Sequence, residues 1–167
     1  MFLLGPLRYL AKALILESTP RQMAWGFALG MAVGLVPKGN LIAISLMMVL
    51  CALRINLAAG TGAIALFAWV GMYLDPVSHG LGKFLLTHPS LQGLWTKLAG
   101  MKFVPWTDFN NTVVLGSTLI ALTAILPVYF ITRPIFERFA PKLKDLVTKY
   151  RLTMVLTGGD LVSRAAS

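Results

Sequence analysis

Two long stretches of the chain carry no charged residue, and they limit the folds open to it more than any other feature. Leu57 to Leu74 runs for eighteen residues and Thr112 to Thr132 for twenty-one. As helices they would cover about 27 and 32 Å, close to the ~30 Å hydrocarbon core of a bilayer. Each stretch is therefore predicted to be a transmembrane helix, the second with a kink at Pro127.

The composition supports a membrane protein. Of the 167 residues, 57% are hydrophobic and 13% are charged, and the mean hydropathy is +0.75. A soluble domain usually carries about a quarter charged residues, so this chain has too few to cover a soluble globule. We predict an all-α membrane protein with one helical membrane domain over residues 1–156 and a flexible tail over residues 157–167.

Residues 20–53 are predicted to form a short helical hairpin. Thr19 and Gln22 have the spacing of a capping box that begins a helix. That helix should end before Pro37, and a second apolar stretch, Leu41 to Leu53, follows the turn. Each arm of about 14 residues reaches only about 21 Å. The hairpin is either re-entrant, which we favour, or a pair of short spans in a thinned bilayer.

Three further segments are predicted to be amphipathic helices at membrane surfaces. The first covers residues 1–18, where Arg8 and Lys12 share one helical face. The second belongs to a periplasmic loop over residues 75–111, and the third is a basic helix over residues 133–156. The predicted interfacial anchors of the loop are Trp95, Phe103, Trp106 and Phe109.

The distribution of lysine and arginine predicts the orientation. Since a hairpin returns the chain to its starting side, the N-terminus, Arg54 and the basic tail share one side. That side carries eleven of the fifteen basic residues, and residues 75–111 carry three. The richer side is expected to be cytoplasmic, so both ends lie there. We attribute the net charge of +9 to contact with anionic phospholipid of the bilayer rather than with nucleic acid.

A stripe of small residues marks the first arm of the hairpin. Gly26, Gly30 and Gly34 recur every four residues, which predicts close helix packing. The stripe serves either contact with the second arm, Leu41 to Leu53, or contact with another copy or another membrane protein.

The turn of the hairpin is a candidate site for an anionic headgroup. Lys38, Gly39 and Asn40 stand just before a helix whose first N–H groups lack internal partners. The alternative is that Lys38 only extends to the far headgroups.

Four polar residues are expected at membrane edges: Arg54, Asn56, Asp75 and His79. Arg54 would anchor a helix at the phosphate level. Asp75 would end a span and begin the next helix, or pair with His79 one turn later.

No pattern in the sequence predicts catalysis. There is no Ser-His-Asp set, no glycine-rich phosphate loop and no H-E-x-x-H motif. His79 and His88, nine residues apart without a nearby cysteine, are a poor metal site. We therefore predict that the protein is not an enzyme and uses no cofactor or metal.

Three motifs point to a family: F-A-L-G-M-A-V-G-L-V-P-K-G-N-L from Phe27, A-L-R-I-N-L-A-A-G from Ala52, and Y-L-D-P-V-S-H-G-L-G from Tyr73. They resemble a bacterial family of short inner-membrane proteins classed as a domain of unknown function. The resemblance covers about residues 23–82, and its most specific elements are G-x-x-x-G-x-x-P and L-R-[IV]-N-L. It implies a bacterial inner-membrane location and no activity. The hairpin alone also resembles the re-entrant hairpins of polyprenyl-phosphate and phospholipid translocases.

Two functional hypotheses follow. The first is a non-enzymatic membrane subunit or scaffold that assembles with itself or with another envelope protein, with a lipid-handling complex as one setting. The second is an oligomeric transporter of an anionic lipid or small solute that uses the hairpin tip.

Overall fold

The computed structural model describes the backbone of residues 19–165 and the side chains of residues 19–141. Within this part of the chain there is no β-strand, so the all-α prediction is confirmed. Short 3₁₀ helices precede and follow the fourth α-helix. The α-helices are α1 (Pro20–Leu35), α2 (Leu41–Ala52), α3 (Leu57–Thr87), α4 (Gln92–Ala99) and α5 (Thr112–Ala165). The amphipathic helix predicted over residues 1–18 lies outside the described residues.

Local sequence signals set the bounds of α1 and the turn after it. The backbone N–H of Thr19 donates to Gln22 Oε1 at 2.9 Å, and that of Gln22 donates to Thr19 Oγ1 at 3.3 Å. This reciprocal pair is the capping box. α1 ends before Pro37, and Gly39 adopts a φ of 100°, which glycine reaches without steric cost. The chain then turns back into α2.

The centre of the fold is α1, which lies between α3 and α5. Eleven of its sixteen residues are buried, whereas α2 buries only Ala43 and Leu50. α1 runs parallel to α3, because the start of α1 adjoins Asn56 and its end adjoins Gly71. It runs antiparallel to α5. The core is therefore a three-helix bundle with α2 at its periphery.

Two of the described helices, Leu57–Thr87 and residues Thr112–Pro141 of α5, are long and apolar enough to cross a membrane. In the most apolar window of each, only 22% and 33% of the residues are buried within the chain. A core helix of a soluble protein would be mostly covered. The apolar surface left open on both helices is what a lipid-facing span requires.

The helix that contains the first predicted span continues beyond the end predicted for it. α3 does not stop at Leu74 but continues through Pro76 to Thr87. A proline removes one helical hydrogen bond and bends a helix, but packing can hold the helix together. Here Ser78 and Gly82 pack against α5 beyond the proline. The loop predicted over residues 75–111 is therefore confined to residues 88–111.

The helix that contains the second predicted span also continues beyond Thr132. α5 is one helix from Thr112 to Ala165, with Pro127, Pro134 and Pro141 inside it. The basic helix predicted over residues 133–156 is therefore part of the same helix as the second span, and the tail predicted to be flexible is helical up to Ala165. The three prolines are spaced by seven residues, so they lie near one face, where their missing N–H groups cost one hydrogen bond each. The membrane contact predicted for residues 133–156 stays a prediction.

Residues 88–111 form a small cap on the far end of α3. Trp95 donates its indole N–H to the carbonyl of Leu85 at 3.0 Å and stacks on Phe109 with ring centroids 6.0 Å apart. Phe109 is buried, while Phe103 and Trp106 are each 72% exposed. Of the four predicted anchors, Trp95 and Phe109 thus hold the cap together, and Phe103 and Trp106 are left at its surface.

Candidate functional site

The glycine stripe of α1 faces α3. A side chain on Gly30 would collide with the backbone of Gly60, and one on Gly26 would collide with the carbonyl of Asn56. One on Gly34 would come within 2.8 Å of Phe67 Cβ. The expectation that the stripe packs against α2 is therefore wrong. The alternative contact with another molecule is also not available, because α3 occupies the stripe.

Small residues on α3 explain why it receives the stripe. Ala59, Gly60 and Ala63 are all buried, and the backbones of α1 and α3 approach closely along this row. The A-A-G-T-G-A run that begins at Ala58 is the sequence signal that could have identified α3 as the partner. The sequence prediction instead paired the stripe with Leu41 to Leu53, the nearest apolar segment along the chain, and so did not identify α3.

Lys38 caps the helix that precedes it. Its Nζ donates to the carbonyls of Val36 at 2.7 Å and Gly34 at 3.2 Å, and also to that of Val33. An ammonium group has three hydrogens, so these carbonyls can engage all of them. A positive charge at the C-terminal end of a helix is also favoured by the helix dipole. The ammonium of Lys38 is thus directed at α1.

Asn40 holds the turn from within. It is 2% exposed, and its Nδ2 donates to the carbonyl of Pro37 at 2.8 Å. Its Oδ1 accepts the N–H of Ala43 at 2.9 Å, which caps the start of α2. The predicted set of Lys38, Gly39 and Asn40 therefore comes together at the tip, with Lys38 and Asn40 both engaged by the hairpin's own backbone.

Asn56 has the same role as Asn40 at the other end of α2, where it caps the start of α3. It is 4% exposed, and its Oδ1 accepts the N–H of Ala59 at 2.7 Å. Its backbone N–H donates to the carbonyl of Gln22 at 3.1 Å, and Gln22 Nε2 donates to the carbonyl of Arg54 at 3.3 Å. The starts of α1 and α3 are thereby tied together on one side of the bundle.

A short repeat underlies these two corners. K-G-N-L-I-A from Lys38 and R-I-N-L-A-A from Arg54 share a basic residue, an asparagine two positions later, then leucine and alanine. In both copies the asparagine is buried and caps the helix through the alanine N–H. The repeat is visible in the sequence, and it identifies Asn40 and Asn56 as helix caps rather than ligand groups.

Asp75 and His79 lie on the far half of α3. Asp75 is exposed and sits inside the helix rather than at its end. His79 Nδ1 lies 2.7 Å from Thr112 Oγ1, which links α3 to the start of α5. Among the described residues, no group of three or more His, Cys, Asp or Glu side chains could hold a metal ion.

A cavity of about 250 Å³, here called the tip cavity, lies between the hairpin tip and the cap. It is formed by the turn, the first residues of α2 and the segment before α5. Its lining residues are Gly39, Asn40, Leu41, Ile44, Trp106 and Asp108. Lys38 is not among them, so of these six residues only Asp108 carries a charge.

A family model described as an uncharacterized protein conserved in bacteria (DUF2062) matches residues 6–143. An uncharacterized protein of Treponema pallidum (strain Nichols) is 29% identical over 124 residues, which cover 74% of this chain and 76% of that protein. No solved structure matches the chain. The chain belongs to the DUF2062 family.

Proposed function

We propose that this DUF2062 protein is a non-enzymatic scaffold of the bacterial inner membrane that assembles with a second copy of itself through α2. The observation that carries the proposal is the outer face of α2. This face points away from the buried Ala43 and Leu50 and combines two small residues with two larger apolar ones. Its members are Ser45, Met48, Val49 and Ala52, all of them exposed.

Both the length and the composition of α2 favour a protein partner on this face. Twelve residues give a helix of about 18 Å, well short of a ~30 Å hydrocarbon core. A short apolar helix is accommodated by thinning the bilayer or by association with another helix. Ser45 and Ala52 would let a second backbone approach closely, and the flexible Met48 would fill the remaining gaps. In a dimer with a two-fold axis beside α2, the outer face of one α2 packs against the same face of the other.

The remaining elements support a cytoplasmic position for both ends. α3 and α5 would cross the membrane, with Arg54 and Arg133 at one boundary and the cap on the periplasmic side. Arg21, Arg54 and Arg133 all lie at the end of the bundle where α1 begins and α5 leaves it. This concentration of positive charge suits the cytoplasmic leaflet and its anionic phospholipids.

Cysteine cross-linking in bacterial membranes tests the assembly. In a Cys51→Ser background, Met48→Cys places a thiol on the outer face, and Met47→Cys places one about 100° away on the same helix. Oxidation should give a disulfide-linked dimer from Met48→Cys and little from Met47→Cys. Equal yields from both positions, or monomer from both, would contradict the proposal. A cross-link to a different protein would favour an envelope partner instead.

A second candidate function is lipid or small-solute transport by an oligomer. It is supported by the depth of the hairpin, since Leu35 adjoins Gly71 of α3. From Leu57 to Gly71 a helix rises about 21 Å, so Leu35 would lie about 9 Å short of the far side of a 30 Å core, and the turn after it would extend toward the cap on that side. This depth supports a re-entrant hairpin. Movement of labelled anionic lipid between leaflets of vesicles containing the protein would favour transport, and its absence would favour the scaffold.

A further inference from the structure

The tip cavity presents a negative charge beside the turn of the hairpin. Asp108 lines it, and Lys38, which adjoins Gly39 of the lining, turns its ammonium toward the carbonyls of α1. The cavity therefore offers a carboxylate without the basic side chain that the turn sequence suggested. The charge of its lining residues favours a cationic ligand.

Trp106 and Asp108 are held in place by the backbone of their own segment. Trp106 belongs to the 3₁₀ helix Val104–Thr107, and it is 72% exposed. Asp108 has a φ of 54°; its N–H donates to the carbonyl of Pro105 at 3.1 Å, and its carbonyl accepts the N–H of Asn111 at 2.9 Å. The face of an indole ring attracts organic ammonium groups, and a carboxylate attracts them by charge.

The apolar part of the cavity continues along α2. Ile44 lines the cavity and is 54% exposed, and Met47 and Cys51 follow it at spacings of three and four on the same side of the helix. This stripe lies on a different side of α2 from the outer face of Ser45, Met48 and Ala52. At about 18 Å, α2 is as long as one leaflet of hydrocarbon, so an acyl chain fits beside it.

We propose that the tip cavity binds the ammonium headgroup of a membrane lipid of the phosphatidylethanolamine class. The carboxylate of Asp108 and the indole of Trp106 receive the ammonium group, and the stripe from Ile44 to Cys51 receives an acyl chain. The volume of about 250 Å³ suits a headgroup rather than a larger ligand. This binding goes beyond the scaffold function and does not depend on dimer formation.

Native mass spectrometry of the full chain, incubated with equal amounts of phosphatidylethanolamine and phosphatidylglycerol, tests this site. The native chain should retain the ethanolamine lipid preferentially. Asp108→Asn should lower that retention about tenfold, the equivalent of about 1.4 kcal/mol. Asparagine tolerates a positive φ as aspartate does, so the fold and the melting temperature should not change. Trp106→Leu should lower retention as well, whereas Asp75→Asn, an exposed carboxylate outside the cavity, should not.

Competition with free ethanolamine identifies the source of the ammonium group. Lipid retention that persists in millimolar ethanolamine supports the lipid site with its acyl-chain stripe. Displacement by free ethanolamine keeps ammonium recognition but overturns the assignment to a lipid. Equal retention of both lipids by the native chain, or an equal effect of Asp108→Asn and Asp75→Asn, would overturn the proposal altogether.

Discussion

Gly30 of α1 lies directly against Gly60 of α3, so that the two backbones touch with no side chain between them. The two helices run parallel although α2 separates them in the sequence. The contact fixes the depth to which the hairpin enters the bundle, because the contacts on either side of it, Gly26 with Asn56 and Gly34 with Ile64, follow the same register. The position of the tip therefore depends on this row of small residues.

Gly30→Ala is expected to destabilise the protein in detergent by about 1–3 kcal/mol, because the new methyl group meets the backbone of Gly60 and one helix has to shift. The matched control is Gly62→Ala on α3, where an added Cβ meets nothing within 4 Å. Alanine has the higher helix propensity, so the control should be neutral or slightly stabilising. Thermal unfolding followed by circular dichroism measures both, and equal melting temperatures would argue against this packing.

Asn56→Ala is expected to lower stability by about 1–2 kcal/mol, since it removes the buried side-chain oxygen that accepts the N–H of Ala59 at the start of α3. Asn110→Ala changes an exposed asparagine of the segment 88–111 and should lower stability very little. The comparison uses the same unfolding experiment. A smaller loss for Asn56→Ala than for Asn110→Ala would contradict the assigned role.

Lys38→Met is expected to reduce stability by about 1 kcal/mol, because the carbonyls at the end of α1 lose a charged donor. The anionic lipid that co-purifies with the protein should stay the same, since the ammonium is directed at the helix. Lys83→Met, at an exposed lysine of α3, is the control. A loss of bound anionic lipid from Lys38→Met alone would restore the headgroup site predicted for the turn.

Alkaline phosphatase, which is active only outside the cytoplasm, tests the orientation. A fusion after residue 95, in the cap, should be active, and a fusion after residue 167 should be inactive, because the basic residues gather at the opposite end of the bundle. The reverse pattern of activity would place the cap in the cytoplasm.

Local sequence patterns predict where the described helices begin, but contacts between distant parts of the chain decide where α3 ends. The absence of charge between Leu57 and Leu74 located the first span, and Thr19 with Gln22 located the start of α1. The end of α3 was misplaced because the charge of Asp75 and the proline at position 76 are local signals, whereas Ser78 and Gly82 are held by residues of α5 thirty or more positions away. Tertiary packing decided that boundary.

The sequence predicted only the part of the candidate site that lies in the turn, and it did not predict the contacts of that part. The sequence marks Lys38 and Asn40 as unusual in an apolar segment, yet it does not indicate that the ammonium turns back to α1. Trp106 and Asp108 were passed over as ligands of the turn because sixty-six residues separate Asn40 from Trp106. Their meeting depends on how the cap folds over the tip, which no periodicity encodes.

The stoichiometry of the protein in lipid nanodiscs is the most direct test of the scaffold account. Native mass spectrometry of the released protein should give the mass of two 18.2 kDa chains. Met48→Trp, which enlarges the outer face of α2, should give one chain while leaving the helical content unchanged. A single chain from the native protein, or a dimer that survives Met48→Trp, would contradict assembly through α2.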